Sequence, residues 1–331
     1  MASEIIGRDE ELGAIEAFLA RVTDGPGALV LSGEAGIGKT ILWDAGVEEA
    51  QNHHGDVLMC RGIEAEASLS FAGLSELLAP VFADVADSLL PPRRRALEVA
   101  LLLVEPGETA PDAHAIGLAV LDVLRALAER GPVLVALDDL QWLDPASAGV
   151  VQIALRRLRD EPVRLIATVR LGPDLTSPVE LDRIFPASRH VQLAIGPLSH
   201  GAIHALLEDR LGLNLTRTEL ARVWDATGGN AFFALELGRE LVRTDTRPTP
   251  GQPLRVPASL QELLGGRLGR LPTDTGDVLL QIASLARPTI EVVARVHGDG
   301  TRVAEALEAA AREGVLELDG SNIRFAHPLL A

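Results

Sequence analysis

The feature that most constrains this chain is the stretch of residues 28–40, which reads ALVLSGEAGIGKT. An apolar run leads into Gly33, and a glycine-rich loop ends at Lys39 and Thr40, where an amphipathic segment begins. This order matches the pattern G-x-x-x-x-G-K-[ST] in its required setting of a buried strand, a loop and a helix. Glycines let backbone N–H groups curl around a polyphosphate, and the helix N-terminus adds further donors. The stretch therefore predicts a binding site for a nucleoside triphosphate such as ATP, or for its product ADP.

Individual side chains of this loop have predicted roles. Lys39 is the only lysine in the chain, and we expect it to reach the β- and γ-phosphates, because a compact ammonium suits a phosphate site. We expect the Thr40 hydroxyl to ligate Mg²⁺. The other predicted nucleotide contacts are the loop positions Gly33, Glu34, Ala35, Gly36, Ile37, Gly38 and Ile41. The alternative is a glycine-rich turn with a solvated lysine, which the flanking pattern disfavours.

A second buried strand is predicted to carry acidic residues at its end. Residues 133–137 are apolar and run into Asp138 and Asp139, which is typical of a strand buried on both faces of a parallel sheet. Asp138 is placed to hold Mg²⁺ through water. Asp139 is placed to orient the attacking water, or only to cap the following loop. Since neighbours on a strand point to opposite faces, both acids can serve one site only if the chain turns there.

Three further strands complete the predicted sheet. Residues 163–169 form one strand and end at Arg170, whose cation at the same sheet edge can neutralise a γ-phosphate or can simply lie on the surface. A strand near residues 190–195 follows, and a strand over residues 56–61 comes earlier in the chain. Alternating strands and helices of this kind favour a parallel sheet with right-handed crossovers, an α/β fold of the P-loop NTPase type.

The chain becomes helical beyond residue 196. We predict an α/β nucleotide-binding domain over residues 1–196, a helical lid over 197–245, a proline-rich linker over 246–256 and a winged-helix domain over 257–331. The last assignment rests on helices followed by a hairpin with Asp319 and Gly320 at its turn. That domain has seven arginines against ten acidic residues, so it is predicted to contact protein rather than to bind DNA directly.

Composition narrows the class of protein further. The net charge of −17 argues against an electrostatic hold on nucleic acid or anionic lipid. Cys60 is the single cysteine, which fits a reducing compartment. No apolar run approaches the roughly 18–20 residues that cross a bilayer, and the first residues lack a signal-peptide layout. These features predict a cytoplasmic protein without a membrane partner.

Taken together, these landmarks resemble the STAND-type signalling ATPases, and most closely the nucleotide-binding part of large ATP-binding LuxR-type transcriptional regulators. The resemblance covers essentially the whole chain. The residues that carry it are Ile6–Arg8, Gly33–Thr40, Val133–Asp139, Gln141–Asp144, Ala167–Arg170, Gly228–Phe233, Val256–Leu260 and Phe325–Leu329. One departure is Ala231, where the family usually has a proline. A second is that the chain stops at Ala331, before the helical repeats and DNA-binding helix-turn-helix of such regulators.

The resemblance implies a lid and a winged helix that close over bound ADP. By it, Ile6 and Arg8 lie near the adenine and ribose, and His327 contacts the β-phosphate from the winged helix. The turn at residues 227–230 is expected to be flexible and to approach the nucleotide. The leading interpretation is an ATPase switch that associates with itself or with a protein partner. The alternatives are a nucleotide-binding interaction module without hydrolysis and a P-loop kinase for a small molecule.

Overall fold

A computed structural model of the chain divides into two compact units. It describes residues 5–52, 55–107, 111–171, 177–248, 268–269, 271–272, 274–285, 288–313 and 315–325. The first unit, called here the sheet unit, takes in the described residues within Arg8–Arg170 and Thr176–Ile195. The second, the helical unit, takes in those within Met1–Gly7, Leu171–Leu175 and Gly196–Ala331.

The sheet unit alternates strands with helices. Its strands are β1 (Gly27–Gly33), β2 (Asp56–Arg61), β3 (Val133–Asp138), β4 (Val163–Arg170) and β5 (His190–Ala194). Its α-helices are α1 (Asp9–Ala20), α2 (Lys39–Asn52), α3 (Ala72–Val85), α4 (Pro91–Ala100), α5 (Ala113–Ala128), α6 (Pro145–Leu155) and α7 (Leu181–Ile184). Short 3₁₀ turns cover Val22–Asp24, Glu64–Glu66, Ala86–Ser88 and Leu140–Trp142.

The five strands form one parallel sheet in the order β2-β3-β4-β1-β5. Strand β4 therefore separates β1, which leads into the glycine-rich loop, from β3, which ends in the acidic pair. Gly33 at the end of β1 is in register with Arg170 at the end of β4. Because parallel strands end at a common edge, the loop, the acids and Arg170 meet there. The predicted five-stranded α/β fold of a P-loop NTPase is confirmed.

Burial explains why these segments are strands. Every residue of β1 and of β3 is buried, as continuous apolar runs in a doubly covered sheet require. Strands β2 and β5, at the two edges of the sheet, are partly exposed. One large apolar cluster joins β1, β3 and β4 to helices α3–α6. Burying a leucine there, such as Leu137, stabilises the fold by about 1.5–3 kcal/mol.

Asp144 connects the end of the acidic strand to a neighbouring helix. It caps α6, accepting from the backbone N–H of Ser147 at 2.9 Å. Its carboxylate also accepts from the N–H groups of Phe71 at 2.9 Å and Gly73 at 3.1 Å, where α3 begins. The side chain is 2% exposed. One buried carboxylate thus holds the starts of two helices together, close in sequence to Asp138 and Asp139.

Two apolar cores are found among the described residues of the helical unit. Its elements are α8 (His200–Leu211), α9 (Arg217–Thr227), α10 (Ala231–Arg243), α11 (Thr275–Ser284), α12 (Ile290–His297), α13 (Gly300–Arg312), β6 (Leu316–Asp319) and β7 (Asn322–Phe325). Helices α8–α10 share one core. The other joins α11–α13 to the antiparallel β6–β7 hairpin, the arrangement of a winged helix. Phe233 of α10 packs into this second core. Within the described residues, none of the helices has the length and apolar character needed to cross a membrane.

The turn between α9 and α10, which the sequence predicts to be flexible, is tightly packed in this structure. Gly229 has a φ of +72°, and a Cβ added there would lie 2.7 Å from the Leu198 carbonyl oxygen. Asn230 is 1% exposed and caps α10 by accepting from the N–H groups of Phe232 and Phe233. A helix cap at the point where the chain reverses fixes its direction. The four-domain partition proposed from sequence stays a prediction, since residues 249–256 of the linker lie outside the described residues.

Candidate nucleotide-binding site

The glycine-rich loop is shaped by close packing and by left-handed backbone. A Cβ at Gly33 would lie 2.8 Å from the Ile195 carbonyl oxygen, so no larger residue fits without a shift. Gly36 and Gly38 have φ values of +77° and +111°, which side chains rarely adopt. The loop then enters helix α2 at Lys39. Backbone N–H groups at this helix start form the anion-binding setting that the sequence predicts.

Lys39 is buried at the centre of this loop. Its side chain is 6% exposed, and Nζ donates to the carbonyl oxygens of Gly33 at 3.0 Å and Glu34 at 2.7 Å. Burial lowers the pKa of Lys39 to about 8, while the nearby Asp139 carboxylate opposes this shift. The ammonium thus lies in a setting where its charge is costly. An incoming polyphosphate would restore favourable interactions.

The acidic strand brings its last carboxylate next to the loop. Asp138 is 5% exposed, and its Oδ1 accepts from the Thr168 hydroxyl at 2.6 Å and the Thr40 hydroxyl at 3.4 Å. Thr40, at the start of α2, and Asp138, at the end of β3, thus place two oxygen ligands together. Carboxylate and hydroxyl oxygens are the donors that Mg²⁺ prefers, with water and nucleotide oxygens completing its shell. The donor set fits the predicted magnesium ion.

The chain turns between the two acids. Strand β3 ends at Asp138, and Asp139 adopts a left-handed conformation with a φ of +48°, which aspartate tolerates better than most residues. Its backbone N–H donates to the Thr168 hydroxyl at 2.7 Å and to Asp138 Oδ1 at 3.1 Å. Thr168 is fully buried. It therefore fixes both the first carboxylate and the turn that directs the second.

Arg170 and Asp139 form an ion pair at the edge of the sheet. The guanidinium donates to both carboxylate oxygens, from Nη2 to Oδ2 at 2.8 Å and from Nε to Oδ1 at 3.1 Å. Gln141 also donates to Asp139 Oδ1, at 3.0 Å, and accepts from the Arg170 backbone N–H at 3.1 Å. Burial opposes ionisation of Asp139, but the hydrogen bonds from Arg170 and Gln141 lower its pKa. Asp139 is therefore an anion at neutral pH.

The other residues that the sequence predicts to contact the nucleotide lie in several different places. Arg8 is buried and donates from Nη2 to the Ile37 carbonyl oxygen at 2.9 Å, which connects it to the glycine-rich loop. Ile6 packs in the core of helices α8–α10. Ile41 is 43% exposed, just beyond the loop. His327 and the stretch Val256–Leu260 lie outside the described residues, so their assignments stay predictions.

Two polar residues of the site, Thr168 and Gln141, are not singled out by sequence reasoning. Thr168 lies inside a predicted strand and follows Asp138 by thirty positions, so only the strand register brings them together. Gln141 lies in the resemblance segment, but its partners Asp139 and Arg170 become neighbours only when β3 and β4 pair. A hydroxyl at the end of a buried strand is a usable signal, because buried hydroxyls need partners.

Comparison with known proteins finds a family whose model matches the first half of the chain. Residues 4–166 match the family model described as an AAA ATPase domain. This part of the chain is therefore similar to AAA ATPase domains. The matched range contains the glycine-rich loop, Lys39, Thr40, Asp138 and Asp139 of this domain and ends within β4. An AAA domain implies nucleotide binding, with ATP and Mg²⁺ as the general cofactors.

Solved structures share the fold at low sequence identity. A Walker-type ATPase of Pyrococcus abyssi superposes with a TM-score of 0.64 at 16% identity, covering 98% of this chain and 95% of that one. The ORC2 protein of Aeropyrum pernix, solved in ADPNP–ADP complexes, gives a TM-score of 0.54 at 16% identity, with 100% and 93% coverage. At such identities the likeness establishes the fold of the AAA domain and of the helical region that follows it.

A curated relative extends well beyond the matched region. An uncharacterised protein of Rhizobium meliloti (strain 1021) is 26% identical over 275 residues, which cover 72% of this chain. The match spans 25% of that relative's length. Most of this chain thus corresponds to one part of a larger protein there.

Proposed function

We propose that this chain is an ATP-hydrolysing switch, in which the AAA domain binds Mg·ATP and converts it slowly to ADP and phosphate. The observation that carries the proposal is the convergence at one edge of the sheet of two buried side chains, Lys39 and Asp138, with those of Thr40, Asp139 and Arg170. A protein that only binds nucleotide needs the glycine-rich loop and Lys39. Asp139 and Arg170 add the acid and the cation that phosphoryl transfer to water requires.

Each side chain has one task in this proposal. The loop N–H groups and Lys39 hold the β- and γ-phosphates, and Arg170 neutralises charge on the γ-phosphate. Thr40 and Asp138 would hold Mg²⁺, which would neutralise charge on the phosphate oxygens. Asp139 orients a water molecule whose oxygen bonds to the γ-phosphorus while the bond to the bridging oxygen breaks. ADP leaves with that oxygen, and the water's proton departs towards Asp139.

The finer role proposed for the switch is regulatory. The sequence resemblance to LuxR-type regulators supports it. In this role ADP keeps a lid and a winged helix closed, with Ile6 and Arg8 on the adenine side and His327 at the β-phosphate. ATP opens the module for association with itself or with another protein. The winged helix, having more acidic than basic residues, acts through protein contacts rather than on DNA.

The experiment that tests hydrolysis is a single-turnover assay with γ-labelled ATP and Mg²⁺. We expect the parent protein to release labelled phosphate, and Asp139→Asn to bind ATP but release phosphate on the order of 100-fold more slowly. Equal rates in the two proteins would remove Asp139 from the mechanism. A parent protein that binds ATP and releases no phosphate would favour the alternative, a nucleotide-binding interaction module without hydrolysis.

A further inference from the structure

Gln141 makes two hydrogen bonds that join the ends of strands β3 and β4. Its Nε2 donates to Asp139 Oδ1 at 3.0 Å, and its Oε1 accepts from the Arg170 backbone N–H at 3.1 Å. A carboxylate accepts only and a backbone N–H donates only, so one orientation of the carboxamide satisfies both partners. The two bonds form a bridge from the acid of one strand end to the backbone of the other.

The backbone around Gln141 holds this bridge in place. Leu140, just before it, is 1% exposed and anchors the 3₁₀ turn Leu140–Trp142 in the core. Asp144, just after the turn, accepts three backbone N–H groups from two helix starts. The turn is therefore fixed on both sides. A side chain presented from such a turn is restricted to few orientations, as preorganised sites require.

Arg170 cannot hold the Asp139 carboxylate in place throughout a reaction cycle. In this structure its guanidinium donates to both oxygens of Asp139. In the function proposed above, the same guanidinium must also neutralise a γ-phosphate. The N–H groups that donate to phosphate then no longer donate to the Asp139 carboxylate. When Arg170 turns to phosphate, Gln141 is the described side chain that still donates to the Asp139 carboxylate.

We propose that Gln141 is the positioning residue that keeps the Asp139 carboxylate directed at the attacking water while Arg170 binds the γ-phosphate. The proposal rests on the hydrolytic function proposed above. Gln141 acts through Asp139 and through the backbone of Arg170. Its removal should therefore slow hydrolysis and leave nucleotide affinity in place, because misplacement of a catalytic group affects the transition state more than the ground state.

Two substitutions separate the halves of the bridge. Gln141→Ala removes both hydrogen bonds, whereas Gln141→Glu keeps an oxygen for the Arg170 N–H and replaces the donor to Asp139 with a repelling carboxylate. We expect both variants to hydrolyse ATP about 10- to 100-fold more slowly in single turnover, with dissociation constants for Mg·ATP within about twofold of the parent value. Gln192→Ala, at an exposed position of β5, is the matched control and should behave as the parent.

Amide exchange followed by NMR gives a readout that does not depend on hydrolysis. The Arg170 amide should exchange about tenfold faster or more in Gln141→Ala, and at the parent rate in Gln141→Glu, since only alanine removes the acceptor. In the background of Asp139→Asn, Gln141→Ala should slow hydrolysis no further, because residues that act as a unit are not additive. If Gln141 only stabilised the fold, Gln141→Ala would slow hydrolysis by the same factor in the parent and in the Asp139→Asn protein.

Three results would overturn the proposal. The first is hydrolysis at the parent rate in either Gln141 variant. The second is an unchanged exchange rate of the Arg170 amide in Gln141→Ala. The third is a loss of hydrolysis rate on Gln141→Ala that is as large in the Asp139→Asn background as in the parent. A parent protein that binds Mg·ATP without releasing phosphate would overturn the hydrolytic function, and with it the catalytic purpose of Gln141. In that case the amide exchange of Arg170 still decides whether the bridge exists.

Discussion

The guanidinium of Arg170 binds the carboxylate of Asp139 through two parallel hydrogen bonds, of 2.8 Å and 3.1 Å. In the proposed function the guanidinium binds the γ-phosphate and the carboxylate orients the attacking water. Here they neutralise one another across the ends of adjacent strands. We expect a γ-phosphate to compete for the guanidinium, so that the carboxylate is released for its role when ATP enters.

The first prediction concerns the pH dependence of nucleotide affinity. Burial lowers the pKa of Lys39 to about 8 in the protein, so the ammonium that binds phosphate is lost from the free site as the pH rises above that value. The dissociation constant for Mg·ATP should be level between about pH 6.5 and pH 8 and rise by up to about tenfold per pH unit above it. Titration calorimetry across this range measures it, and Lys39→Arg, which keeps its charge, should show no such rise. A level affinity for the parent up to about pH 9.5 would contradict the prediction.

The second prediction concerns the ion pair in the folded protein. Burial opposes ionisation of Asp139, but hydrogen bonds from Arg170 and Gln141 bring its pKa below the usual 3.8. A lowered carboxylate pKa contributes stability that is present above the unfolded pKa and is lost as the pH falls through the folded one. Arg170→Gln should therefore reduce the free energy of unfolding by about 0.5–1 kcal/mol at neutral pH, the pair being partly exposed. The difference should shrink below about pH 4.

Urea denaturation of both proteins at neutral and at acid pH measures this difference. The exposed ion pair between Arg295 and Glu291 on helix α12 offers a control. Arg295→Gln should change stability by less than about 0.5 kcal/mol at any pH. A loss in Arg170→Gln that stays the same at about pH 3 would refute the linkage.

The third prediction concerns the buried hydroxyl of Thr168. Thr168→Val preserves the shape of the side chain but leaves the Asp138 carboxylate and the Asp139 N–H without this partner. Loss of a buried partner should lower the free energy of unfolding by about 1–3 kcal/mol. Denaturant melts should show that loss, and Thr301→Val, at an exposed position of α13, should stay within about 0.5 kcal/mol of the parent. Parent-like stability in Thr168→Val would mean that the turn at Asp139 holds without it.

The sequence predicts the sheet and the phosphate loop because local patterns determine both. Apolar runs bounded by glycine and proline mark the strands, and the capping role of Asp144 follows from its place before Pro145. Contacts between Asp138 and Thr168, or between Gln141 and Arg170, depend instead on which strands pair and in which register. The position of Ile6 in the core of α8–α10 likewise depends on packing between distant segments. Residue type and spacing alone do not carry that information.

The most direct test of the account is the affinity of the purified chain for Mg·ATP, measured by titration calorimetry with the parent protein and with Lys39→Ala. Lys39 is the buried cation at the centre of the loop. We expect the parent to bind one nucleotide per chain and the variant to bind it at least about 100-fold more weakly, because several charge-assisted hydrogen bonds are lost together. The two proteins should otherwise unfold alike. Equal affinity in the two, or no binding by the folded parent, would contradict the assignment of this loop as the nucleotide site.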